Sequence, residues 1–524
     1  MQHHQACSRH SLPDSNCLNL DPLGSVHQYE ASTTEQSMNV YPTRLLDLGA
    51  DGSGSGDACL IDTVVKDVEY LTLSYCWGQS TSHPYVTTTA TLIDNHRLVK
   101  YEDMPKTIQD AFDITRALGV RYLWVDALCI IQDSRDDWHA EASKMGSIYS
   151  NALLTISADL SEDVDGGCFN DIGRSQVKDF DDVVCISHDL DDGKRSRFYF
   201  YAPKNFKSAS EGLLEDSPLA ERGWTFQERA MSHRILHYTD HQLIWECREA
   251  YKTGDHRPGL ISTWERLSTL CGSLSSAGQR PASREDELIN WYERIAQTYS
   301  KRQFTFWADR LPAIAGLARV AGQKINADYV AGTWTIGIEF GLCWARAGQH
   351  LLPERQKMNG PSFSWATLLA PVCWMENRKK DSFGSFESCV LLVDHGKRLV
   401  HKDRFGEVDE AWLELRSRIR PARIVHQDYL DNELSDLLEE GEWIKDVLAE
   451  DEGRVLGDVR MDAKCVPSKT YCLLLCKKFW TYALLVERHS SIRGLPAWKR
   501  IGLARLAKAP TSWLLGDMQR MLLI

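Results

Sequence analysis

With 524 residues, 43% of them hydrophobic and 25% charged, the chain has ordinary globular composition and length for about two or three domains. Its net charge of −13 excludes a nonspecific nucleic-acid binder, and most of that charge is local. Asp428 to Glu452 holds eleven Asp or Glu and one Lys, a net of −10, which reads as a solvated helical surface or an insertion. The fifteen cysteines are scattered, odd in number and form no CxxC pair, so they read as reduced core thiols and not as a disulfide framework or zinc ligands. The first residues lack the apolar core of a signal peptide, and no uncharged run approaches the length of a membrane span. The expectation is a soluble cytoplasmic protein that binds no metal.

Residues 1–42 are polar and without period, a loose N-terminal tail. TRLLDLG (43–49) and CLIDTVV (59–65) read as strands of a hairpin around the flexible DGSGSGD. VEYLTLSYC (68–76) is strand-like. Asp103 and Pro105 open a helix over KTIQDAFDITRAL, in which Ile108, Ala111, Phe112, Thr115 and Leu118 share one face, and Gly119 stops it. VRYLWVDALCII (120–131) is a nearly continuous apolar run, as a strand buried on both faces requires. After the polar QDSRDD, Trp138, Ala142, Met145 and Tyr149 recur at helical spacing, and LLTISA (153–158) is a third strand. This β-α-β-α-β order with short connections predicts an open parallel sheet.

Residues 160–220 are irregular and acidic, with a hairpin expected at CISHDL and RFYFYA. ERGWTFQERAMSHRILHYTDHQLIWEC (221–247) reads as a short helix and two strands turning at Asp240-His241. Beyond about residue 255 amphipathic helices follow at WERLSTLC, DELINWYERIAQTYS and LPAIAGLARVAG. Strands of a mixed C-terminal region are expected in SFESCVLLVDHGKRLV, RIRPARIVHQ and KTYCLLLCKKFWTYALLVE.

Parallel sheets bind ligands beyond the carboxyl ends of their strands, which selects candidates directly. The first strand ends at Ser74, Tyr75, Cys76, Trp77 and Gly78, and the second near Cys129, Gln132 and Asp133. Gly78 permits close backbone approach, and the start of the Trp138 helix favours an anion, so a nucleotide-like pocket is one reading and a Trp77 that only covers the sheet end is the other. Glu141, three residues after Trp138, is either a functional carboxylate at the rim or a solvated helix residue. Asp126, inside the apolar run, needs a partner such as an Arg or backbone N–H groups, and Arg222 and Arg234 are candidates for a structural ion pair. Glu221, Arg222, Trp224, Gln227 and Glu228 form a second polar and aromatic cluster, fit for an ion pair or for phosphate and ribose contacts. A Cys129–His139 nucleophile is disfavoured by the apolar setting of the thiol, and the P-loop and GxGxxG patterns are absent.

YLTLSYCWG, then MPKTIQDAFDITRALGVRYLWVDALCIIQDSRDDWHAEASKMGSIYSNALLTISA, then ERGWTFQERAMSHRILHY, in this order, resemble the fungal heterokaryon incompatibility (HET) domain. The resemblance covers roughly residues 68–247, and FTFWADRLPAIAGLA, YVAGTW, LCW and PSFSWA look like the region that commonly follows it. It implies a HET domain over 43–247 and a C-terminal α+β region over 248–524 that contains the acidic segment 428–452. The implied fold class is α/β, a TIR/flavodoxin-like parallel sheet with flanking helices. The implied role is that of an effector or signalling component in fungal non-self recognition and regulated cell death. By analogy with TIR domains that cleave NAD, Glu141 would be catalytic, with Ser74, Trp77, Gly78, Gln132, Asp133, Trp138 and Arg222 binding. NAD would be substrate, no cofactor is firmly implied, and Asp126, Glu221 and Arg234 would be structural. The Trp138–Glu141 spacing departs from the Trp, three residues, Glu pattern of TIR domains. The alternative is a non-catalytic interaction or self-assembly module, whose partner would be a second copy or another incompatibility protein.

Overall fold

Short aliphatic and aromatic runs between glycines and polar turns make the strands of this chain, and where such a run is central it is buried on both faces. The computed structural model describes residues 40–49, 56–63, 68–78, 83–169, 180–189, 195–203, 214–239, 243–247, 251–253, 282–347, 360–368, 370–374, 387–422, 447–448, 455–461, 469–477, 480–506 and 511–524. The tail before residue 40, the helix expected at WERLSTLC and nearly all of the acidic segment lie outside the described residues. The chain divides into two units: one drawn from residues 1–131, 151–215 and 232–262, the other from 132–150, 216–231 and 263–524.

In the first unit, β1 (Arg44–Asp47) and β2 (Cys59–Asp62) form the expected hairpin. β3 (Tyr70–Ser74), β4 (Tyr122–Trp124) and β5 (Leu154–Ser157) are mutually parallel about β3. The hairpin β6 (Phe180–Asp189) and β7 (Arg195–Pro203) is also where the sequence puts it. β8 (Arg234–Tyr238) runs parallel to β5, and β9 (Leu243–Cys247) and β10 (Tyr251–Thr253) continue antiparallel. The eight described strands of the main sheet therefore stand in the order β10-β9-β8-β5-β3-β4-β1-β2. Its four parallel strands, counted along the chain, lie in the flavodoxin-like order second, first, third, fourth, with antiparallel strands at both edges. The fold is thus α/β with a mixed sheet. Buried hydroxyls stitch its centre, Thr72 to Thr155 at 2.8 Å and Thr155 to Ser232 at 2.6 Å.

Helix α1 (Leu92–Arg97) is followed by α2 (Lys106–Ala117), which buries Ile108, Ala111, Phe112 and Thr115 and ends before Gly119 at φ +72°. The run 120–131 is not one strand. β4 stops at Trp124, and α3 (Asp126–Cys129) is a helical turn. Its carbonyls are taken by other chain segments: Ala127 and Leu128 accept from Thr87, at 3.0 and 2.6 Å, and Cys129 accepts from Arg44 at 2.9 Å. An apolar run lets a buried turn pass for a buried strand, because both bury every residue.

The second unit contains α4 (Arg135–Ala142) and most of α5 (Met145–Asn151), two helices where the apolar stripe suggests one. The break comes where Ser143 donates to the Ala140 carbonyl and the Lys144 amide tightens onto the Glu141 carbonyl. α6 (Pro218–Glu221) and α7 (Gly223–Met231) belong to the same unit. α8 (Arg284–Ile289) continues through a π-helical segment, Asn290–Ala296, and α9 (Ala315–Ile325) follows.

Short pairs β11 (Tyr329–Val330) with β12 (Thr333–Trp334) and β13 (Trp344–Arg346) with β14 (Val372–Trp374) come next. A larger sheet comprises β15 (Glu387–Ser388), β16 (Val390–Leu399), β17 (Val408–Ser417), β18 (Ile419–Ala422), β19 (Val447–Leu448), β20 (Val455–Met461), β21 (Thr470–Lys477), β22 (Thr481–Arg488), β23 (Ala497–Leu506) and β24 (Gln519–Leu523). All its pairings are antiparallel except β23 with β24. Arg500, fully buried, donates to the Leu342 and Trp344 carbonyls and lies over the Trp344 ring, so its charge is met by backbone dipoles and a π face.

Candidate functional site at the carboxyl edge of the sheet

The strand order reverses between β3 and β5, and in a sheet of this order ligands bind outside the carboxyl ends at that reversal. Ser74 and Ser157 end the two strands in register, and the Ala158 amide donates to the Ser74 carbonyl at 3.0 Å. Both serines are buried. Beyond Ser74 the chain turns outward through Tyr75, Cys76 and Trp77.

Trp77 is half-buried, and its indole N–H donates to the Asp126 carboxylate at 2.9 Å. Asp126 opens α3 and also accepts from the Ala127 amide at 2.7 Å. Asp126 therefore does not sit inside a buried strand. It is a half-buried residue at a helix start that fixes an indole from the neighbouring strand end. A neutral donor to a carboxylate contributes about 1.5–3 kcal/mol. Arg234 is exposed and reaches the Leu153 carbonyl at 3.4 Å. Trp77 meets His83 edge-on at 5.3 Å, and His83 meets Tyr85 at 5.7 Å.

Gly78 has φ +86°, and a Cβ there would stand 2.7 Å from the Cβ of Asp163. Both the backbone conformation and the space demand glycine. Gly78→Ala is expected to cost about 1–3 kcal/mol in urea unfolding. Adding Asp163→Gly recovers the steric part and leaves the backbone part; full recovery would show that the positive φ carries no strain.

Asp163 belongs to the segment after β5, which crosses the edge from β5 past Gly78 to α2. The Thr107 amide donates to the Val164 carbonyl at 3.0 Å, the Gly167 amide to the Thr107 hydroxyl at 3.0 Å, and the Cys168 amide to the Asp110 carboxylate at 2.8 Å. Ser161, Val164 and Cys168 are buried, and burial pushes the Cys168 thiol well up, keeping it protonated. The chain's own segment after β5 thus runs across this edge of the sheet, packed on Gly78 and tied to α2.

A charged network closes the same edge. His237 in β8 is buried, with Nδ1 2.8 Å from Asp159 and Nε2 2.9 Å from Glu246 in β9, while the Ser157 hydroxyl donates to Asp159 at 2.7 Å. Burial pushes the imidazole down, but the two carboxylates outweigh it and hold the ring above its ordinary value. The serine faces the carboxylate and not the imidazole, so this is no Ser–His nucleophile pair. The only local signal for the network was a histidine inside the apolar strand RILHY.

The remaining candidates, Cys129 apart, lie in the second unit. Glu141 is fully buried and its carboxylate pairs with the Lys144 ammonium at 2.7 Å. Trp138 and Gln132 are half-buried and Asp133 is exposed. Trp138 meets Trp224 edge-on at 6.0 Å, and the Trp224 indole donates to Asp309 at 3.1 Å. Glu221 is exposed and accepts from the Gln303 side chain at 3.0 Å, while the Arg222 carbonyl accepts from Arg302 at 3.2 Å. Gln227 and Glu228 are buried, and Gln227 accepts from the Gly316 amide at 2.6 Å. Cys129, in the first unit, is fully buried. No group of three or more His, Cys, Asp or Glu able to hold a metal occurs among the described residues.

Residues 70–228 match the family model described as Heterokaryon incompatibility protein (HET). These residues form a HET domain. Searches of curated proteins and of solved structures returned no match. The HET match opens at the first residue of β3 and closes within α7, so it takes in Trp77, Gly78, Asp126, Trp138, Glu141 and Arg222 and stops short of His237. No helix among the described residues is long and apolar enough to cross a membrane.

Proposed function

We propose that this HET-domain protein is an effector or signalling component of fungal non-self recognition and regulated cell death, and that its HET domain acts through protein contacts. The partner is a second copy or another incompatibility protein. The observation that carries this reading is the segment after β5: at the edge where a flavodoxin-like sheet takes its ligand, Asp163 is packed on Gly78, and Val164 and Cys168 are hydrogen-bonded to α2. Glu141 agrees with it. A carboxylate that assists cleavage of a glycosidic bond must reach the sugar, and this one is buried against Lys144.

NAD cleavage by a TIR-like domain is the second reading, favoured by the indole of Trp77 held beside Asp126 at a sheet edge suited to nucleotides. Inducible expression in a fungal host, with viability and NAD followed together, separates the two. Glu141→Gln, which keeps the side chain's shape, is expected to kill as well as the parent, and purified protein, clustered or not, to leave NAD intact. NAD loss that Glu141→Gln or Asp126→Asn abolishes in a folded protein would overturn the contact reading.

A further inference from the structure

Within the second unit, His139 of α4 and His401, in the turn between β16 and β17, stack face to face with ring centroids 4.7 Å apart and planes 8° from parallel. Two neutral imidazoles stack favourably, whereas two imidazolium rings at that separation repel. The surroundings of the pair are asymmetric. On α4, Arg135 adds a third positive charge and Asp136 opposes it; on the turn, exposed Lys402 adjoins His401 in the chain. Glu407, from the same turn, faces Arg135 and is also near Asp409. Asp309, in the short Trp307–Arg310 turn, faces Glu407 and accepts from Trp224 of α7. Trp138 meets His139 edge-on at 5.1 Å, so the stack is continuous with the Trp138–Trp224 contact.

We propose that the His139–His401 stack is a proton-sensitive latch that holds α4, with its Trp138 and Glu141, against the β16–β17 turn and releases it on acidification. Burial, then His401, then Arg135 push His139 below its ordinary value. A ring harder to protonate folded than unfolded stabilises the contact above about pH 6.5 and loses that contribution as the pH falls through the lowered value. Asp309 and Glu407 work in the opposite sense. Burial pushes Asp309 up to about 6 and also raises Glu407, so protonating them relieves a cost as the pH falls.

Hydrogen exchange of the 135–142 segment in the full chain, corrected for intrinsic exchange, tests the latch between about pH 8 and about pH 5. Protection is expected to fall about tenfold in the parent. His401→Phe keeps a flat ring and removes the charge that faces His139 but leaves burial and Arg135, so the fall there is expected to shrink. Asp309→Asn removes the opposing carboxylate and is expected to deepen the fall. A parent with level protection, or a His401→Phe variant with an undiminished fall, overturns the proposal. The parent's own His139 resonances give a check independent of any variant's folding: the ring is expected to titrate below its ordinary value, and a His139 that does not also overturns the proposal.

Discussion

Replacing His237 with alanine is expected to destabilise the first unit by about 3–5 kcal/mol, the loss typical when one member of a buried charge network is removed. The imidazole stands between Asp159 and Glu246, and without it two carboxylates face each other at an edge where Asp159 has little access to water. The loss also unties three strands at once: Asp159 follows β5, His237 lies in β8, and Glu246 lies in β9. Hydrogen exchange of 154–157 and 234–238 reads the effect where it arises.

The pH dependence has a definite sign. The folded ring keeps its proton more tightly than an ordinary imidazole of 6.5, so the network stabilises fully below that value and the contribution drains away as the pH rises through the raised one. The gap between the parent and His237→Ala should therefore narrow in alkaline solution. A variant within about 1 kcal/mol of the parent at every pH would mean that the three side chains contribute no net stability.

How far the sequence discloses such features depends on what holds each together. β3 and β5 were legible because a central parallel strand is apolar throughout, and YLTLS and LTIS are bounded by polar turns. The helix α2 was legible from its spacing and from Gly119. The stretch 120–131 misled for the same reason that made the strands plain: continuous burial erases the period that distinguishes a strand from a turn of helix. The sequence shows Asp126 to be a carboxylate in need of partners, but one of them, Trp77, comes from the preceding strand end. No local pattern encodes that pairing. The His237 network is more distant still, since Asp159 reaches it only through the parallel pairing of β5 with β8. The helix near the expected rim singles out Glu141, but its depth is not legible in the stripe of apolar neighbours that it adjoins.

Gly223→Ala is the second substitution expected to act strongly, and it explains a glycine in the motif ERGWTF. The position opens α7 and has no positive φ, so backbone freedom is not what it supplies. Space is. A Cβ there would lie 2.0 Å from two atoms of the Phe304 ring. Neither side can readily withdraw. The Gly223 amide donates to the Gln303 carbonyl at 3.0 Å, and the Gln303 amide donates to the Glu221 carbonyl at 2.6 Å, which lash the motif's backbone to the residue before Phe304. The Phe304 ring is itself set edge-on against buried Tyr299 at 5.5 Å. Overpacking of this kind costs about 1–3 kcal/mol, and pinning on both sides puts Gly223→Ala at the upper end.

Phe304→Ala alone removes a half-buried ring and is also destabilising, but in the double variant the added methyl has room. The two effects should then fall short of additivity by about 1–2 kcal/mol in a double-mutant cycle read by urea unfolding. Strict additivity would mean that the glycine serves something other than this contact, and the motif would regain its claim as a ligand-binding element. Coupling of the expected size would instead make ERGWTF a packing signature. The most specific part of the HET resemblance in α7 would then mark how a helix start is seated on Gln303 and Phe304, with Arg222 contributing its carbonyl to Arg302 and Glu221 its carboxylate to Gln303.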